Sequence, residues 1–432
     1  MKILMLTPRL PYPPDRGDRL RSWSELDFLA GRHDVWLASV DERPPDDQTL
    51  AALRQRCRDI AVFVRPAAWS LIRGAFGFLG GRSLTAGFFS SGRLARCVRT
   101  WSQRIGFDAI LTYSSAMAPY AELASATRRV LDMVDVDSSK WRLYAARSRS
   151  FLRGLYSLEA KRLATLERHS VRRHDVCLVV NERERRKLLE RTYPRQAGVL
   201  RTCVDVGQYT CLNPTDTHGP LPREPIIGTI GSMFYPPNVR AVNWFGRYAW
   251  PLVRRARPDA QWLIVGSRPT RAVRSWGRQP GITVTGYVPD VLPYLTKMRV
   301  FASPVEGELG VQSKVIVAMA AGKPVVITPA GAAGIDYDGA APFLIAGSPR
   351  GFADAVVRLL EDDTLALDLV KRGRRVVDAN YQVETQLPQL EQWLQPERVG
   401  PDRQAAPPAT PVRKTPTWAE SPTIHSAQKV TG

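Results

Sequence analysis

A chain of 432 residues, 44% of them apolar, is long enough for two domains with a core each, and no run in it approaches the ~20 apolar residues of a spanning helix. Five cysteines (Cys57, Cys97, Cys177, Cys203 and Cys211) form no Cys-x-x-Cys pair, which argues against a zinc site or a disulfide framework and for a reducing, cytoplasmic setting. The net charge of +20, with a pI near 10.2, asks for an anionic partner: a membrane surface is expected ahead of a nucleic acid, since RNA-recognition and zinc-finger patterns are absent, although arginine-rich composition alone yields the same charge.

Residues 1–40 read as strand, loop, helix, strand. The first apolar run, Ile3–Leu6, has the length of a strand rather than of a signal peptide and is broken by Pro8. A proline-rich loop, Pro8–Gly17, leads into a helix from about Arg19 to Ala30, and Val35–Val40 follows as the second strand. Such a unit opens a doubly wound α/β domain. Gly17 at the helix entrance either lets the backbone approach a ligand or is a simple turn glycine. The loop offers no Gly-x-Gly-x-x-Gly, so a dinucleotide-dependent oxidoreductase is not expected.

Residues 60–107 hold seven arginines and no acid, interleaved with Trp69, Leu71, Ile72, Phe76, Leu79 and Trp101. This is the pattern of a basic amphipathic segment resting in an anionic headgroup layer, with Arg73, Arg82, Arg93 and Arg96 as contacts, or of a helical pair with a solvated arginine face. Asp108–Tyr113 and Val130–Val134 read as strands. The second runs into Asp135-Val136-Asp137-Ser138-Ser139-Lys140-Trp141, an acidic, polar run at a strand's carboxyl end. Asp135 and Asp137 are the catalytic candidates, placed to orient or deprotonate an acceptor hydroxyl; the competing role for both is capping the next helix. Helices at Leu152–His169 and Glu182–Arg191 flank a strand at Asp175–Val180, and Gly198–Val204 reads as the last strand of a first domain spanning 1–212.

Residues 213–224 are polar and rich in Pro and Gly, as a linker is. Ile226–Ile230 opens a second domain, expected over 225–378, and leads into Gly231-Ser232 and a helix bearing Arg240. Strands follow at Gln261–Gly266 and Ile282–Thr285. The strand Val300–Ala302 then gives a Pro/Gly-broken loop with Glu306, Gly310, Val311 and Gln312, and a helix begins near Lys314. A loop that leaves a strand's carboxyl end and opens a helix presents free amides and a positive dipole end, which favour phosphate, and Lys314 is placed to reach one of its oxygens. A helix at 379–395 is expected to cross back onto the first domain, and 396–432, rich in Pro, Ala and Thr, to be disordered.

The stretch Phe301–Val326 resembles the donor-binding signature of family-4 retaining glycosyltransferases of the GT-B fold: Ala318-Met319-Ala320, Gly322, Pro324, Val325 and Val326 stand in place. The Asp-x-Val-Asp-x-Asp-Ser-x-x-Trp run at 132–141 and Gly228-x-x-Gly231-Ser232 followed by Tyr235-Pro-x-Asn238 resemble, more narrowly, sugar transferases of exopolysaccharide and PEP-CTERM-associated gene clusters. The resemblance implies two Rossmann-like domains facing a cleft and transfer of a sugar, with retention, from a nucleotide-sugar donor to a hydroxyl of a lipid-linked saccharide. It also implies a peripheral position at the inner face of the cell membrane. Gly17, Gly231, Ser232, Arg240, Glu306, Gly310, Val311, Gln312 and Lys314 would hold the donor, and neither a metal nor another cofactor would be needed. Two glutamates of the signature are replaced, by Leu309 and Val317, which leaves a catalytically degenerate binding or scaffold subunit as the alternative.

Overall fold

In the computed structural model, residues 1–14, 17–148, 152–212, 221–305 and 310–396 are described. Glu306, residues 213–220 of the expected linker and the tail from 397 onward lie outside them. Seven parallel strands form the first sheet: β1 (Lys2–Thr7), β2 (Asp34–Asp41), β3 (Asp59–Val64), β4 (Phe107–Tyr113), β5 (Ala126–Val134), β6 (Val176–Val179) and β7 (Ala197–Val199). Their order is β3-β2-β1-β4-β5-β6-β7. The pleat sends alternate side chains to opposite faces. Ile3 and Met5 therefore enter one apolar core and Leu4 and Leu6 the other, so the sheet is covered on both sides and its strands read as unbroken apolar runs.

The second sheet repeats the plan with β8 (Ile226–Ile230), β9 (Gln261–Val265), β10 (Ile282–Val284), β11 (Val300–Ser303), β12 (Val325–Ile327) and β13 (Leu344–Ile345), ordered β10-β9-β8-β11-β12-β13. Trp262 and Ile264 pack to one side and Leu263 and Val265 to the other. Each sheet reverses its winding once, between β1 and β4 and between β8 and β11. Loops leaving neighbouring strands at such a point diverge, and the crevice they leave is where doubly wound sheets take ligands.

The chain returns to the first sheet at its end. Leu390 and Leu394 of the helix Val383–Leu394 are fully buried in the core under β1, β4 and β5, with Trp393 packed beside them. Two readings of the sequence need correction. Residues 60–64, the start of the expected basic amphipathic segment, belong instead to the edge strand Asp59–Val64, whose half-exposed side chains blur the alternation. The run at 198–204 ceases to be a strand after Val199. Its polar groups are claimed elsewhere: the Leu200 carbonyl accepts from Arg21, the Arg201 amide donates to Gln386, and Val204 forms an isolated parallel bridge with Gln382.

Candidate donor and acceptor sites

Three loops meet at the carboxyl ends of β1, β8 and β11. After β11 the chain enters the helix Ser313–Ala320, whose N-cap residue, Gln312, supplies no side-chain cap. The first amides of a helix have no partner within it, so they point toward the cleft with the positive end of the dipole. After β8, Gly231 and Ser232 turn the chain toward the helix Pro236–Trp244. A Cβ on Gly231 would lie 2.7 Å from the Asn238 side-chain amide, and one on Gly266 1.7 Å from the Gly231 carbonyl oxygen, so both positions require glycine. From the first domain, the helix Gly17–Ala30 begins directly opposite: a Cβ on Gly17 would stand 3.3 Å from Ser313 Oγ. Two helix N-termini thus converge on one space.

Lys314 enters that space from the first turn of its helix, and its Nζ donates to Asn238 Oδ1 at 2.6 Å. Among the described residues no carboxylate pairs with it. Burial alone pulls its ammonium down to about 8. A cation with no carboxylate beside it, at two positive helix ends, is able to take up an anion. Gln312 is buried, while Val311 and Gly310 are partly exposed on the approach. Arg240 lies exposed farther along the Pro236–Trp244 helix and forms no ion pair in the pocket among the described residues.

Asp135 faces this loop from the other domain. A Cβ on Gly310 would sit 2.5 Å from Asp135 Oδ1, so the carboxylate lies against the bare backbone of the donor loop. Its Oδ2 pairs with Lys140 Nζ at 2.7 Å, and its Oδ1 is buried without a hydrogen-bond partner. Lys140 also reaches Asp137 at 3.1 Å. Burial works against its ammonium, but the two carboxylates outweigh this and hold it well above the usual lysine range.

The backbone that presents Asp135 is unusual. Val134 adopts φ +63°, a left-handed conformation costly for a β-branched residue, where the register between β5 and β6 slips. Neither aspartate caps the helix Asp137–Arg147, whose N-cap is Val136 with no side-chain cap. Glu184 accepts from the Val136 amide at 3.0 Å and Glu167 from the Ser138 amide at 2.9 Å. Two glutamates from distant helices therefore tie down the loop and leave Asp135 and Asp137 to the cleft. Beneath them, Arg21 grips Asp132 through two bonds, of 2.7 and 3.0 Å, and the Leu200 carbonyl at 2.7 Å. This fully buried clamp fixes the helix that carries Gly17 to the strand that carries Asp135. Glu25 beside it has both oxygens without a hydrogen bond, and burial and Asp132 push its carboxyl well above the usual range against the pull of Arg21.

The four arginines expected at a membrane are distant in sequence from this pocket and exposed: Arg73 on the helix Ala67–Leu79, Arg82 just beyond it, and Arg93 and Arg96 on the helix Gly92–Ile105. Leu94 is buried and Phe88 and Phe89 half-buried, but one set of apolar residues on the first of these helices is exposed. Trp69, Ile72, Phe76 and Leu79 recur at spacings of three and four, one stripe of the helix, with exposures from 45% to 81%. The opposite face is glycine: Gly74 and Gly77 meet Gly87 so closely that a Cβ on Gly87 would be 2.9 Å from the Gly74 Cα.

This architecture, two Rossmann-like domains with parallel sheets about a central cleft, is the GT-B fold, and residues 224–362 match the model of glycosyl transferases group 1. Matched domain and fold together define the class: a GT-B glycosyltransferase. Among solved structures, sucrose-phosphate synthase from Thermosynechococcus elongatus is similar over 91% of this chain and 98% of its own, with a TM-score of 0.66 and 16% identity. Anabaena HepE in complex with UDP and glucose aligns over 91% and 99%, at a TM-score of 0.62 and 15% identity. TarM of S. aureus aligns over 91% and 98%, at 0.64 and 12%. No curated protein matches the chain by sequence.

Proposed function

We propose that this protein transfers a sugar from a nucleoside-diphosphate sugar to a hydroxyl of a lipid-linked saccharide, with retention of configuration, in exopolysaccharide assembly. The observation that carries the reading is Lys314: a partly buried cation with no carboxylate partner among the described residues, at the N-terminus of Ser313–Ala320 and facing the Gly17–Ala30 helix start. The diphosphate would sit between Gly17, Ser232 and the amides after Gly310, where Lys314 and the two dipoles stabilise the charge that grows as the sugar departs. In this reading no metal is required, since these groups already supply the positive field. HepE structures hold UDP and UDP-glucose, which supports a donor of this class.

Asp135 would act on the acceptor side. Its Oδ1, without a hydrogen-bond partner, can accept a hydrogen bond from the attacking hydroxyl, and the ion pair with Lys140 fixes the direction of the carboxylate. The apolar stripe of Ala67–Leu79, flanked by arginines, supports docking at an anionic membrane surface, where a lipid-linked acceptor resides. Among the described residues no helix is long and apolar enough to cross a membrane.

The test is transfer of labelled sugar from a panel of nucleotide sugars into the lipid phase of a membrane extract, with anomeric configuration read by NMR. Labelled lipid that depends on Lys314 and Asp135 supports the proposal. Nucleotide binding without release of sugar to any acceptor would favour the non-catalytic reading, for which the apolar Val317, partly buried against the second domain's core, is the motivating residue.

A further inference from the structure

The sequence names Lys314 as the diphosphate ligand but gives no reason for it to stay in place. A lysine has four rotatable bonds, and a desolvated ammonium with no anchor swings toward water. Among the described residues the sole hydrogen bond of the ammonium is the one it donates to Asn238 Oδ1, at 2.6 Å. Asn238 belongs to another loop, 76 residues earlier, in the first turn of Pro236–Trp244. Its own amide nitrogen donates to the Ser232 carbonyl at 3.0 Å. That bond fixes which end of the amide faces Lys314, because only Nδ2 can donate to a carbonyl. Gly231 completes the arrangement, since any Cβ there would displace Nδ2.

We propose that Asn238 is a positioning residue for the donor diphosphate, holding the Lys314 ammonium at the converging helix N-termini without neutralising it. The inference rests on the donor reading above and deepens it. A neutral amide suits the task in a way that a carboxylate does not. It orients the cation yet leaves the full positive charge for a phosphate oxygen, whereas an aspartate at 238 would form an ion pair and cancel it. Alanine would leave the ammonium unheld. Burial is the cause that lowers its titration, and among the described residues no charged side chain adds to it.

The test uses the full chain and four variants: Asn238→Ala, Asn238→Asp, Lys314→Ala, and the double variant Asn238→Ala with Lys314→Ala. Thermal melts select those that stay folded. Calorimetric titration with UDP, GDP, ADP and TDP identifies the nucleotide that binds. Asn238→Ala is expected to weaken it about tenfold, the loss typical of a hydrogen bond to a charged group. Asn238→Asp should weaken it at least as much despite its similar shape. In the Lys314→Ala background the Asn238 change should cost nothing further, as follows when one residue acts only through the other. Independent losses that add, or wild-type affinity in Asn238→Asp, would overturn the proposal.

A second readout needs no nucleotide. The Lys314 ammonium, followed by NMR after ¹³C-methylation, should titrate higher in Asn238→Asp and lower in Asn238→Ala than in the wild type. If no nucleotide binds but this titration moves as stated, the donor reading fails while the hold of Asn238 on Lys314 stands. An unchanged titration in both variants would overturn that hold, whatever binds.

Discussion

Asp132 and Glu167 show what single residues do beneath this site. Arg21 is fully buried between Asp132 and Glu25, so Asp132→Ala removes its doubly bonded partner and leaves Glu25, 3.1 Å away, as the one carboxyl beside the charge. Breaking such a pair from one side typically costs about 3–5 kcal/mol. Chemical denaturation should show a loss of that size, with β5 and the Gly17–Ala30 helix losing amide protection together. Glu167 gives a pH dependence. Burial pushes its carboxyl up to about 7, against the hydrogen bond from Ser138. In the unfolded chain the same group ionises near 4.5, so through that window the folded state keeps a proton the unfolded state has lost. The corresponding stability is present at low pH and falls as pH rises from about 4.5 to 7. Glu167→Gln keeps an acceptor for the Ser138 amide and cannot ionise. Its advantage over the wild type should grow across that interval and level off above it, by at most roughly 3 kcal/mol. Urea unfolding at pH 5, 6, 7 and 8 measures this, and a constant difference would mean Glu167 is ionised throughout.

At the scale of elements, the helix Ala67–Leu79 is the clearest case of a segment whose two faces have different jobs. Its glycines allow close contact with the Leu84–Phe88 helix, and its large apolar residues are left outside. Exposing one such side chain forfeits about 1.5–3 kcal/mol relative to burial, so Phe76→Glu or Leu79→Glu should reduce co-sedimentation with anionic vesicles tenfold or more while leaving nucleotide affinity intact. Equal sedimentation of variant and wild type would remove the stripe from the membrane account. The arginine pattern and the aromatics of this region were legible in the sequence because both are local. The edge strand β3 was not, because an edge strand half-exposed on both faces has no clean period. The caps were illegible for a related reason. Local spacing offered Asp135 and Asp137, but the acceptors are Glu184 and Glu167, 48 and 29 residues away from the amides they serve. Only the folded packing of three helices brings them there.

The whole molecule joins its halves through few but specific contacts. Asn181 donates to the Gly334 carbonyl at 3.2 Å, and Asp336 takes Arg201 at 3.0 Å and the Glu182 amide at 3.3 Å. Gly310 against Asp135 and Gly17 against Ser313 add to the seam, as does the Val383–Leu394 helix. The sequence displayed the two domains and the loops of the cleft because each strand-to-helix switch leaves a local mark of glycine and apolar runs. β8, for instance, was bounded residue for residue at Ile226–Ile230. What it could not display is which loops touch. Lys314 was singled out from its place after a strand, whereas Asn238, to which its ammonium donates, was visible only as one letter of a motif. The central claim is that Lys314 and the two helix ends form a working nucleotide site. Isothermal titration of the wild type and Lys314→Ala with UDP, GDP, ADP and TDP tests it most directly. Saturable binding of one nucleotide, weakened about tenfold or more in a folded Lys314→Ala variant, is the predicted result. No binding by a folded wild-type protein, or equal affinity in the variant, would contradict it.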